Sequence, residues 1–254
     1  MDKKVCAVTG SSSGIGAATV RLFAERGWNV VVNYSRDEAP AQAVAAQCQA
    51  LGAKVLVVQA NVADDADCRR LADAVDKTFG RCDVLVNNAG TTKFVGARDL
   101  DGLDADDFQR IYAVNVVGAF QMVRALTPLL QRHPPSAVVN MSSIAASTGM
   151  GSSVAYAASK GALNTLTLAL ARALGPAIRV NAIAPGLVDT PWLKHGLGDE
   201  RYAAAVTSYK ARAALAEIIT PEDVARAAWY LGVDAQKTTG EVLAVDAGAK
   251  LIPL

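Results

Sequence analysis

The sequence has few residues of the kinds that bind metal ions or form disulfides. Among its 254 residues there are two histidines, His133 and His195, and four cysteines that are scattered without C-x-x-C spacing. Structural zinc sites and disulfide frameworks both need several such residues at short, regular intervals. We therefore predict that the protein has no metal site, and the scattered cysteines favour a reduced, cytoplasmic location.

The sequence also lacks an excess of charge of either sign. Its 25 lysines and arginines balance 24 aspartates and glutamates, and they form no basic run or basic and aromatic stripe. A nucleic-acid partner is therefore not expected, because such proteins carry clustered positive charge. Only four apolar residues follow the charged residues 2–4, too few for a signal peptide or a membrane span. We expect no membrane partner.

Short apolar runs rich in β-branched residues alternate with longer segments rich in alanine, leucine and charged residues. The runs, each predicted to be a buried strand, lie at residues 5–8, 30–32, 55–58, 84–86, 137–140, 180–184 and 241–245. Helices are predicted at residues 17–26, 39–51, 65–78, 106–130 and 156–174. This alternation predicts an α/β fold, a Rossmann-type doubly wound parallel sheet of about seven strands with helices on both faces. Residues 1–254 are predicted to form it as a single domain.

One segment departs from this alternation. Residues 187–217 contain Trp192 and a further helical stretch, and they precede Thr220 and Pro221, an N-cap and first-turn pair that starts the next helix. Long excursions of this kind often cover binding sites. We therefore predict a substrate lid at about residues 187–217.

A glycine-rich sequence, TGSSSGIG at residues 9–16, follows the first predicted strand and opens the first helix. Glycines there permit a tight turn and let the backbone approach a pyrophosphate, which free N–H groups at the helix N-terminus then bind. The spacing is G-x-x-x-G-x-G, and the structural alternative is an ordinary strand-to-helix turn. The residues predicted to bind a dinucleotide here are Gly10, Ser12, Ser13, Gly14, Ile15 and Gly16.

The residues after the second predicted strand bear on which dinucleotide binds. Proteins that prefer NAD usually carry an acid there, and the acid binds the ribose hydroxyls. Here the position is taken by Asn33, a neutral residue that does not repel a 2′-phosphate, while Ser35 and Arg36 supply a hydroxyl and a guanidinium fork. We predict a preference for NADP(H), with NAD(H) as the second cofactor. The alternative for Arg36 is a solvated residue at the start of the next helix.

Five motifs follow one another along residues 5–248. They are TGSSSGIG at 9–16, NNAG at 87–90, Asn115 in a long helix, the pair Ser142-Ser143, and Tyr156-x-x-x-Lys160. In this set and spacing the chain resembles the short-chain dehydrogenase/reductase family, and in particular its 3-oxoacyl-[acyl-carrier-protein] reductase and glucose dehydrogenase members. The resemblance implies an NAD(P)-dependent oxidoreductase that interconverts a carbonyl group and a secondary alcohol.

The resemblance implies catalytic roles for Asn115, Ser143, Tyr156 and Lys160. Tyr156 is expected to be the general acid/base with Lys160 as its partner, since residues four apart share a helix face. The positive charges of Lys160 and of an oxidised nicotinamide are expected to lower the pKa of Tyr156. Ser143, which lies 13 residues before Tyr156, is expected to hold the substrate oxygen, and Asn115 to anchor a water relay. Taken singly, each motif has an ordinary structural alternative.

The resemblance also implies cofactor contacts in other loops. It assigns them to Asn61, Val62, Asn88, Ala89, Gly90, Tyr156, Lys160, Pro185, Gly186, Val188 and Thr190. Val188 and Thr190 are expected to bind the nicotinamide carboxamide, which implies hydride transfer to the pro-S position. Asn87 is expected to pin two strands together. Asn61 and Ala247 depart from the aspartate and glycine that are usual in the family.

The helix predicted at residues 156–174 is apolar nearly all round, so a face beyond the one on the sheet needs a partner. Together with the resemblance, this predicts a homotetramer built on that helix and on the C-terminal residues 251–254, with a homodimer as the second choice.

The predicted function is that of an NADP(H)-preferring oxidoreductase acting on a small-molecule carbonyl or alcohol. The substrate stays open among a 3-oxoacyl thioester on an acyl carrier protein, a sugar or polyol, and a cyclic ketone. Five residues suggest a mixed apolar and polar pocket, with lid packing as the alternative: Phe94, Leu187, Trp192, His195 and Tyr202. A non-catalytic dinucleotide-binding redox sensor is the alternative from another class, and the complete catalytic set argues against it.

Overall fold

The computed structural model describes residues 3–251, and its centre is one sheet of seven parallel strands. The strands are β1 (Val5–Val8), β2 (Asn29–Tyr34), β3 (Val55–Gln59), β4 (Val84–Asn87), β5 (Ser136–Met141), β6 (Ile178–Pro185) and β7 (Val242–Val245). Their order is β3-β2-β1-β4-β5-β6-β7, and all neighbours are parallel. The predicted doubly wound sheet is confirmed, with each predicted strand end within two residues of the observed one.

Helices cover both faces of the sheet. They are α1 (Gly14–Glu25), α2 (Glu38–Ala50), α3 (Asp65–Phe79), α4 (Ala105–Tyr112), α5 (Ala119–Leu130), α6 (Ala145–Thr148), α7 (Val154–Leu174), α8 (Pro191–Leu197), α9 (Asp199–Arg212) and α10 (Pro221–Trp229). One apolar core contains Phe23 of α1 and Val224 of α10, and the other contains Leu71 of α3 and Leu126 of α5. A doubly wound sheet buries apolar side chains on both faces in this way.

The helix predicted at residues 106–130 is interrupted. A π-helical segment, Ala113–Gly118, separates α4 from α5 and was not predicted. The whole run Ala105–Leu130 is long and apolar enough to cross a membrane, with a mean hydropathy of 1.3, but half of its apolar window is buried inside the protein. Core helices of soluble proteins can be equally long and apolar, so this run is weak support for a membrane span.

The segment predicted as a lid contains two helices, α8 and α9. The helix expected within it begins at Asp199 and ends at Arg212, and α8 was not predicted as a helix. The predicted start of α10 is confirmed, because the Thr220 hydroxyl accepts a hydrogen bond from the N–H of Asp223 in a capping box. Of the tail expected in a tetramer, residues 252–254 lie outside the described residues.

The chain changes direction across the sheet between β1 and β4. From β1 it moves outward to β2 and β3, and it then returns to add β4 to β7 on the other side of β1. The loops that leave the carboxyl ends of β1 and β4 therefore diverge. In doubly wound sheets the crevice between two such loops is where ligands bind.

Candidate active site

The glycine-rich turn after β1 is held close to the loop after β4. Gly10 and Gly14 have positive φ angles of 60° and 53°, a conformation that side chains disfavour. A Cβ atom on Gly16 would lie 2.6 Å from Nδ2 of Asn88 and from the carbonyl oxygen of Gly10. Only glycine fits at this position, because the first turn of α1 touches both the turn and the β4 loop.

The N-terminus of α1 fits an anionic group. Ser13, the N-cap residue, makes no side-chain capping bond to the described helix Gly14–Glu25, and the first turn has no acidic residue. The first N–H groups of a helix lack intrahelical partners and carry partial positive charge, so they suit a pyrophosphate. Gly14 also approaches the loop after β6, since its Cβ would lie 3.3 Å from Cγ2 of Thr190.

Asn33 lies elsewhere than its sequence position suggested. Its side chain is buried, and its Oδ1 accepts a hydrogen bond from the N–H of Gly10 at 2.9 Å. Its Nδ2 donates to three backbone carbonyls, on β2, on β3 and just beyond β3. The amide of Asn33 therefore holds the glycine turn to the sheet, which corrects its expected place at the ribose. Ser35 and Arg36 are exposed just beyond β2.

The NNAG sequence fastens the two loops to each other. Asn88 donates from Nδ2 to the carbonyls of Thr9 and Gly10 at 2.9 Å, and the Thr9 hydroxyl accepts from the N–H groups of Asn88 and Ala89 at 3.0 Å. Asn87 donates to Oδ1 of Asn140 at 2.9 Å, so the prediction that it pins β4 to β5 is confirmed. The side chain of Asn88 thus stabilises the glycine-rich turn after β1.

Tyr156 and Lys160 lie one turn apart near the start of α7. The helix is capped by Ser153, whose hydroxyl accepts from the N–H of Tyr156 at 3.2 Å. Lys160 is buried, its Nζ donates to the carbonyl of Met141 at the end of β5 at 2.7 Å, and Nζ lies 5.4 Å from the centre of the Tyr156 ring. The predicted pair is therefore brought together at the carboxyl end of the sheet.

The two serines after β5 point in different directions. Ser142 is buried and its hydroxyl lies 2.6 Å from Oδ1 of Asn164 on α7. Ser143 lies beside Tyr156, close enough for its side chain to lower the pKa of the phenol, and its own oxygen accepts from the N–H of Ala145 at 3.1 Å. Of the two hydroxyls, that of Ser143 is the one placed beside Tyr156.

Burial dominates the acidities of the tyrosine and lysine pair. It raises the pKa of Tyr156 to about 12, against a smaller lowering by the side chain of Ser143. Burial also lowers the pKa of Lys160 to about 8. In the protein alone the pKa of Tyr156 thus moves opposite to the direction expected from the sequence, because removing a phenolate from water costs more than the interaction with Ser143 returns.

Asn115 lies in the π-helical segment and joins two other parts of the site. Its Oδ1 accepts from the N–H of Thr91 at 2.8 Å, and its Nδ2 donates to the hydroxyl of Ser159 at 3.0 Å. Ser159 in turn donates to the carbonyl of Tyr156 at 2.7 Å. Ser159 was missed from the sequence, because nothing in the spacing of Tyr-x-x-x-Lys distinguishes one intervening position from another.

The remaining residues expected to bind a dinucleotide are spread over several loops. Asn61 is exposed, with its Oδ1 accepting from the N–H of Ala63 at 3.1 Å, and Val62 is buried with its carbonyl bound by Gln121. A Cβ on Gly90 would lie 3.4 Å from Oδ1 of Asn115 and 3.8 Å from Nζ of Lys160. Gly90 therefore lies beside the catalytic candidates, whereas residues 61 and 62 lie beyond β3.

The loop after β6 passes from the sheet into the lid. The carbonyl of Pro185 accepts from the N–H of Ile144, and Gly186 donates to the carbonyl of Val245 at 2.9 Å. Val188 is buried and forms a parallel bridge with Ile219. The hydroxyl of Thr190 caps α8 by accepting from the N–H of Leu193 at 3.3 Å.

The expected pocket residues divide into two groups. Trp192 adjoins both Phe94 and Tyr156, with its ring centre 5.3 Å from that of Phe94 and 6.5 Å from that of Tyr156. Tyr202 instead donates to Asp189 at 2.8 Å, and His195 and Leu187 are exposed and half-buried respectively. Lid packing is therefore the better description of Tyr202.

Comparisons with known proteins agree with this geometry. A family profile described as enoyl-(acyl carrier protein) reductase matches residues 10–250. The chain is 42% identical over 248 residues to a protein of Streptomyces violaceoruber assigned as ketoacyl reductase 2 of granaticin polyketide synthase, covering 98% of this chain and 96% of that one. It is 38% identical over 259 residues to 3β-hydroxysteroid dehydrogenase 1 of Eggerthella lenta, covering 98% and 95%.

Solved structures give the same result. The chain matches a protein of Burkholderia xenovorans assigned as a short-chain dehydrogenase/reductase with a TM-score of 0.91 and 42% identity, over 99% of both chains. The resemblance seen in the sequence motifs and the prediction of an oxidoreductase are thus confirmed. This chain belongs to the short-chain dehydrogenase/reductase family of oxidoreductases.

Proposed function

We propose that this protein interconverts a carbonyl group and a secondary alcohol, that it prefers NADP(H), and that Tyr156 is its general acid/base. The observation that carries the proposal is that Tyr156 lies beside both Ser143 and buried Lys160, whose Nζ is 5.4 Å from the centre of the tyrosine ring, at the edge where the glycine turn leaves the sheet. Relatives named for ketoacyl reduction and hydroxysteroid oxidation act on such groups and support it.

A bound nicotinamide dinucleotide supplies or accepts the hydride, and the protein handles the proton. Ser143 orients the substrate oxygen, where negative charge develops during reduction. Tyr156, with a pKa of about 12, is protonated at neutral pH and donates its proton to that oxygen. Lys160, with a pKa of about 8, is mostly charged at pH 7 and stabilises the resulting phenolate. Asn115 anchors the water relay that restores the proton.

The binding of the dinucleotide is divided among the loops at the carboxyl edge. The α1 N-terminus, from Ser12 to Gly16, binds the pyrophosphate. The exposed pair Ser35 and Arg36 binds the 2′-phosphate. Residues 61 and 62 border the adenine, residues 88 to 90 line the riboses, and the loop from Pro185 to Thr190 receives the carboxamide. The family resemblance implies that a bound nicotinamide would exchange hydride at the pro-S position.

The organisation of the protein is part of the proposal. Residues 1–254 form one domain with a lid at about 187–217, in the cytoplasm, and act on a small molecule. Four copies assemble across α7, the π-helical segment and α5, whose apolar residues Leu168, Val117 and Phe120 are 56%, 46% and 40% exposed. A homodimer is the second choice.

One candidate for the carbonyl substrate is a 3-oxoacyl thioester, because the granaticin relative is assigned as a ketoacyl reductase. The alternative of a non-catalytic dinucleotide-binding redox sensor is less well supported, because a pure sensor has no need for Tyr156, Lys160 and Ser143 together. A sensor that acts through its thiols has no better support. Burial raises the pKa of Cys48 and Cys68 to about 11 and that of Cys82 to about 12, so these thiols stay protonated and unreactive at neutral pH.

The test is a nucleotide oxidation screen of the purified protein. NADPH and then NADH are offered with cyclic ketones, a 3-oxoacyl thioester, a ketose and an enoyl thioester. We expect ketone reduction with a higher kcat/KM for NADPH and no reduction of the enoyl thioester. Tyr156→Phe should lower kcat by about 10²- to 10⁴-fold, with NADPH binding unchanged in a fluorescence titration.

Tyr230→Phe is the matched control, because Tyr230 is 49% exposed and lies at the far end of α10. It should leave kcat unchanged. Near-normal turnover by Tyr156→Phe would refute the assigned role of this tyrosine.

A further inference from the structure

Three aromatic rings form a continuous surface that ends at Tyr156. Trp192 on α8 contacts the ring of Phe94 and that of Tyr156, with centre-to-centre distances of 5.3 and 6.5 Å and interplanar angles of 51° and 40°. Both distances lie in the range in which aromatic pairs attract each other. We call Phe94, Trp192 and Tyr156 the aromatic wall. A substrate whose oxygen reaches Tyr156 therefore has the Trp192 ring beside it and the Phe94 ring next in line.

The loop that carries Phe94 is tied to the start of α7. Val95 donates from its backbone N–H to the carbonyl of Ser152 at 2.8 Å, and the hydroxyls of Thr92 and Ser152 are 2.7 Å apart. Ser152 directly precedes Ser153, the residue that caps α7 at Tyr156. The backbone of Phe94 is therefore held at a fixed distance from Tyr156.

Gly196 lets the lid close onto Phe94. A Cβ atom at Gly196 would lie 1.9 Å from Cε2 of Phe94, which is a severe overlap. Trp192 and Gly196 are four residues apart on α8, so they share one face of that helix. The missing side chain at Gly196 thus allows α8 to approach Phe94 closely, and this approach places Trp192 against the other two rings.

The aromatic wall leaves apolar surface uncovered. Trp192 is 44% exposed, although indole rings bury large apolar areas when a partner is present. Gly151 keeps one edge of the tyrosine ring clear, since its Cβ would lie 3.3 Å from Cδ1 of Tyr156. An exposed tryptophan that adjoins a candidate catalytic residue is the kind of surface that a bound ligand covers.

We propose that the preferred substrates are ketones on a flat, ring-fused skeleton, which stack on Phe94 and Trp192 while the carbonyl oxygen meets Tyr156 and Ser143. This inference rests on the proposed carbonyl reduction and names its substrate class. A rigid flat ring gains aromatic stacking and has few rotors to immobilise. A linear acyl chain gains no stacking and must be ordered bond by bond, so it is the poorer fit.

The test compares three ketones with the same nucleotide. They are 2-tetralone, which has a fused aromatic ring, 2-decalone, which has the same carbon skeleton without the flat ring, and the linear acetoacetyl thioester of N-acetylcysteamine. The wild-type protein should show the highest kcat/KM for 2-tetralone. Trp192→Leu and Phe94→Leu should each lower the ratio of kcat/KM for tetralone to kcat/KM for decalone by about three- to tenfold. The kcat/KM for the linear thioester should stay nearly unchanged in both variants.

A second variant acts on the wall without removing a ring. Gly196→Ala pushes against Phe94 and should also lower the tetralone to decalone ratio. Gly96→Ala is its control, because in the described part of the chain a Cβ at Gly96 has no neighbour within 4 Å. Tyr230→Leu, which removes an exposed ring far from the site, controls for the loss of surface aromatics. Quenching of tryptophan fluorescence by 2-tetralone should shrink in Trp192→Leu, a readout that does not depend on turnover.

The outcomes separate the two levels of the proposal. Equal use of ring and linear ketones by the wild-type protein, or a tetralone to decalone ratio that survives Trp192→Leu and Gly196→Ala, would overturn the role of the aromatic wall and leave carbonyl reduction standing. Failure to reduce any ketone with either nucleotide would overturn the proposed function, and this inference with it.

Discussion

The two sides of the candidate site are held in place by different means. One side, which we call the frame, consists of the glycine turn, the ends of β4 and β5, and the start of α7. Its polar residues Asn33, Asn115 and Lys160 are each less than 5% exposed and hydrogen-bonded. The other side is residues 187–217, the segment that we propose as a lid and call by that name. As described, helix Pro191–Leu197 buries no residue and helix Asp199–Arg212 buries Tyr209 alone.

This difference assigns different tasks to the two sides. A buried polar group that loses its partner costs about 1 to 3 kcal/mol, so the frame has one favourable arrangement. The lid is held by surface contacts such as the ion pair of Lys194 with Asp189, and contacts of this kind are cheap to break and to reform. A proton relay needs fixed distances, whereas a substrate must enter and leave. The frame suits the chemistry and the lid suits substrate choice.

The largest stability effect is expected from a single atom change in the frame. Asn33→Asp replaces an amide that donates to three carbonyls by a carboxylate that cannot donate. A buried carboxylate that keeps only the Gly10 N–H as donor and faces three carbonyl oxygens should lower the free energy of unfolding by about 3 to 5 kcal/mol, measured by urea denaturation. From the sequence alone the same change would be expected only to shift the cofactor preference toward NAD.

The lid provides the matched control for this prediction. Asp199→Asn makes the reverse exchange at an exposed position in the first turn of α9, and it should change the free energy of unfolding by no more than about 0.5 kcal/mol. An Asn33→Asp protein that is as stable as the wild type would contradict this prediction. It would show that a charge in the buried frame costs no more than the exposed charge of Asp199 in the lid.

Two lysines make the next comparison. Burial lowers the pKa of Lys160 from 10.5 to about 8, so between these values the folded protein binds fewer protons than the unfolded chain and stability rises with pH. Lys160→Met should therefore remove a desolvation cost of about 3 kcal/mol at pH 7, while it leaves the Met141 carbonyl without its donor at a cost of about 1 to 3 kcal/mol, and turnover is lost. The free energy of unfolding of the variant relative to the wild type should fall by about 2 kcal/mol between pH 7 and pH 10, as the wild-type lysine loses its proton and with it the desolvation cost.

Lys194→Met in the lid is the counterpart. It removes an exposed ion pair and should change the free energy of unfolding by well under about 1 kcal/mol at either pH. Chemical denaturation of the three proteins at pH 7 and pH 10 measures both effects. If the difference between wild type and Lys160→Met is the same at both pH values, Lys160 is not held in a desolvated site.

The elements of the fold were accessible from the sequence because each strand is a short apolar run. β1 and β4, for example, are buried along their whole length, and such strands are continuous in apolar residues. The motifs placed the catalytic candidates for a similar reason, since Tyr156 and Lys160 are neighbours on one helix. Local spacing was sufficient wherever a single element fixed the geometry.

The features that could not be predicted from the sequence depend on contacts between different helices, strands and loops. The place of Asn33 follows from three segments meeting around its amide, and the π-helical segment at Asn115 accompanies contacts to Thr91 and Ser159. The direction of the pKa shift of Tyr156 depends on how much water the surrounding loops exclude. None of these quantities is carried by the residue type or by the spacing along the chain.

The smallest predicted effect lies where the lid rejoins the frame. Ala247 has a positive φ of 51°, a conformation that costs a residue with a Cβ about 1 to 2 kcal/mol, and its carbonyl accepts from the N–H of Leu215 beyond α9. Ala247→Gly removes this strain but adds freedom to the unfolded chain, so a net gain of about 0.5 kcal/mol is expected, read as a rise in Tm of about 1 to 2 °C. Ala249→Gly, two residues on in a 3-10 turn, should lower Tm instead, because its φ is not positive. Equal losses in both variants would mean that the junction is not strained, and that frame and lid meet without a conformational cost.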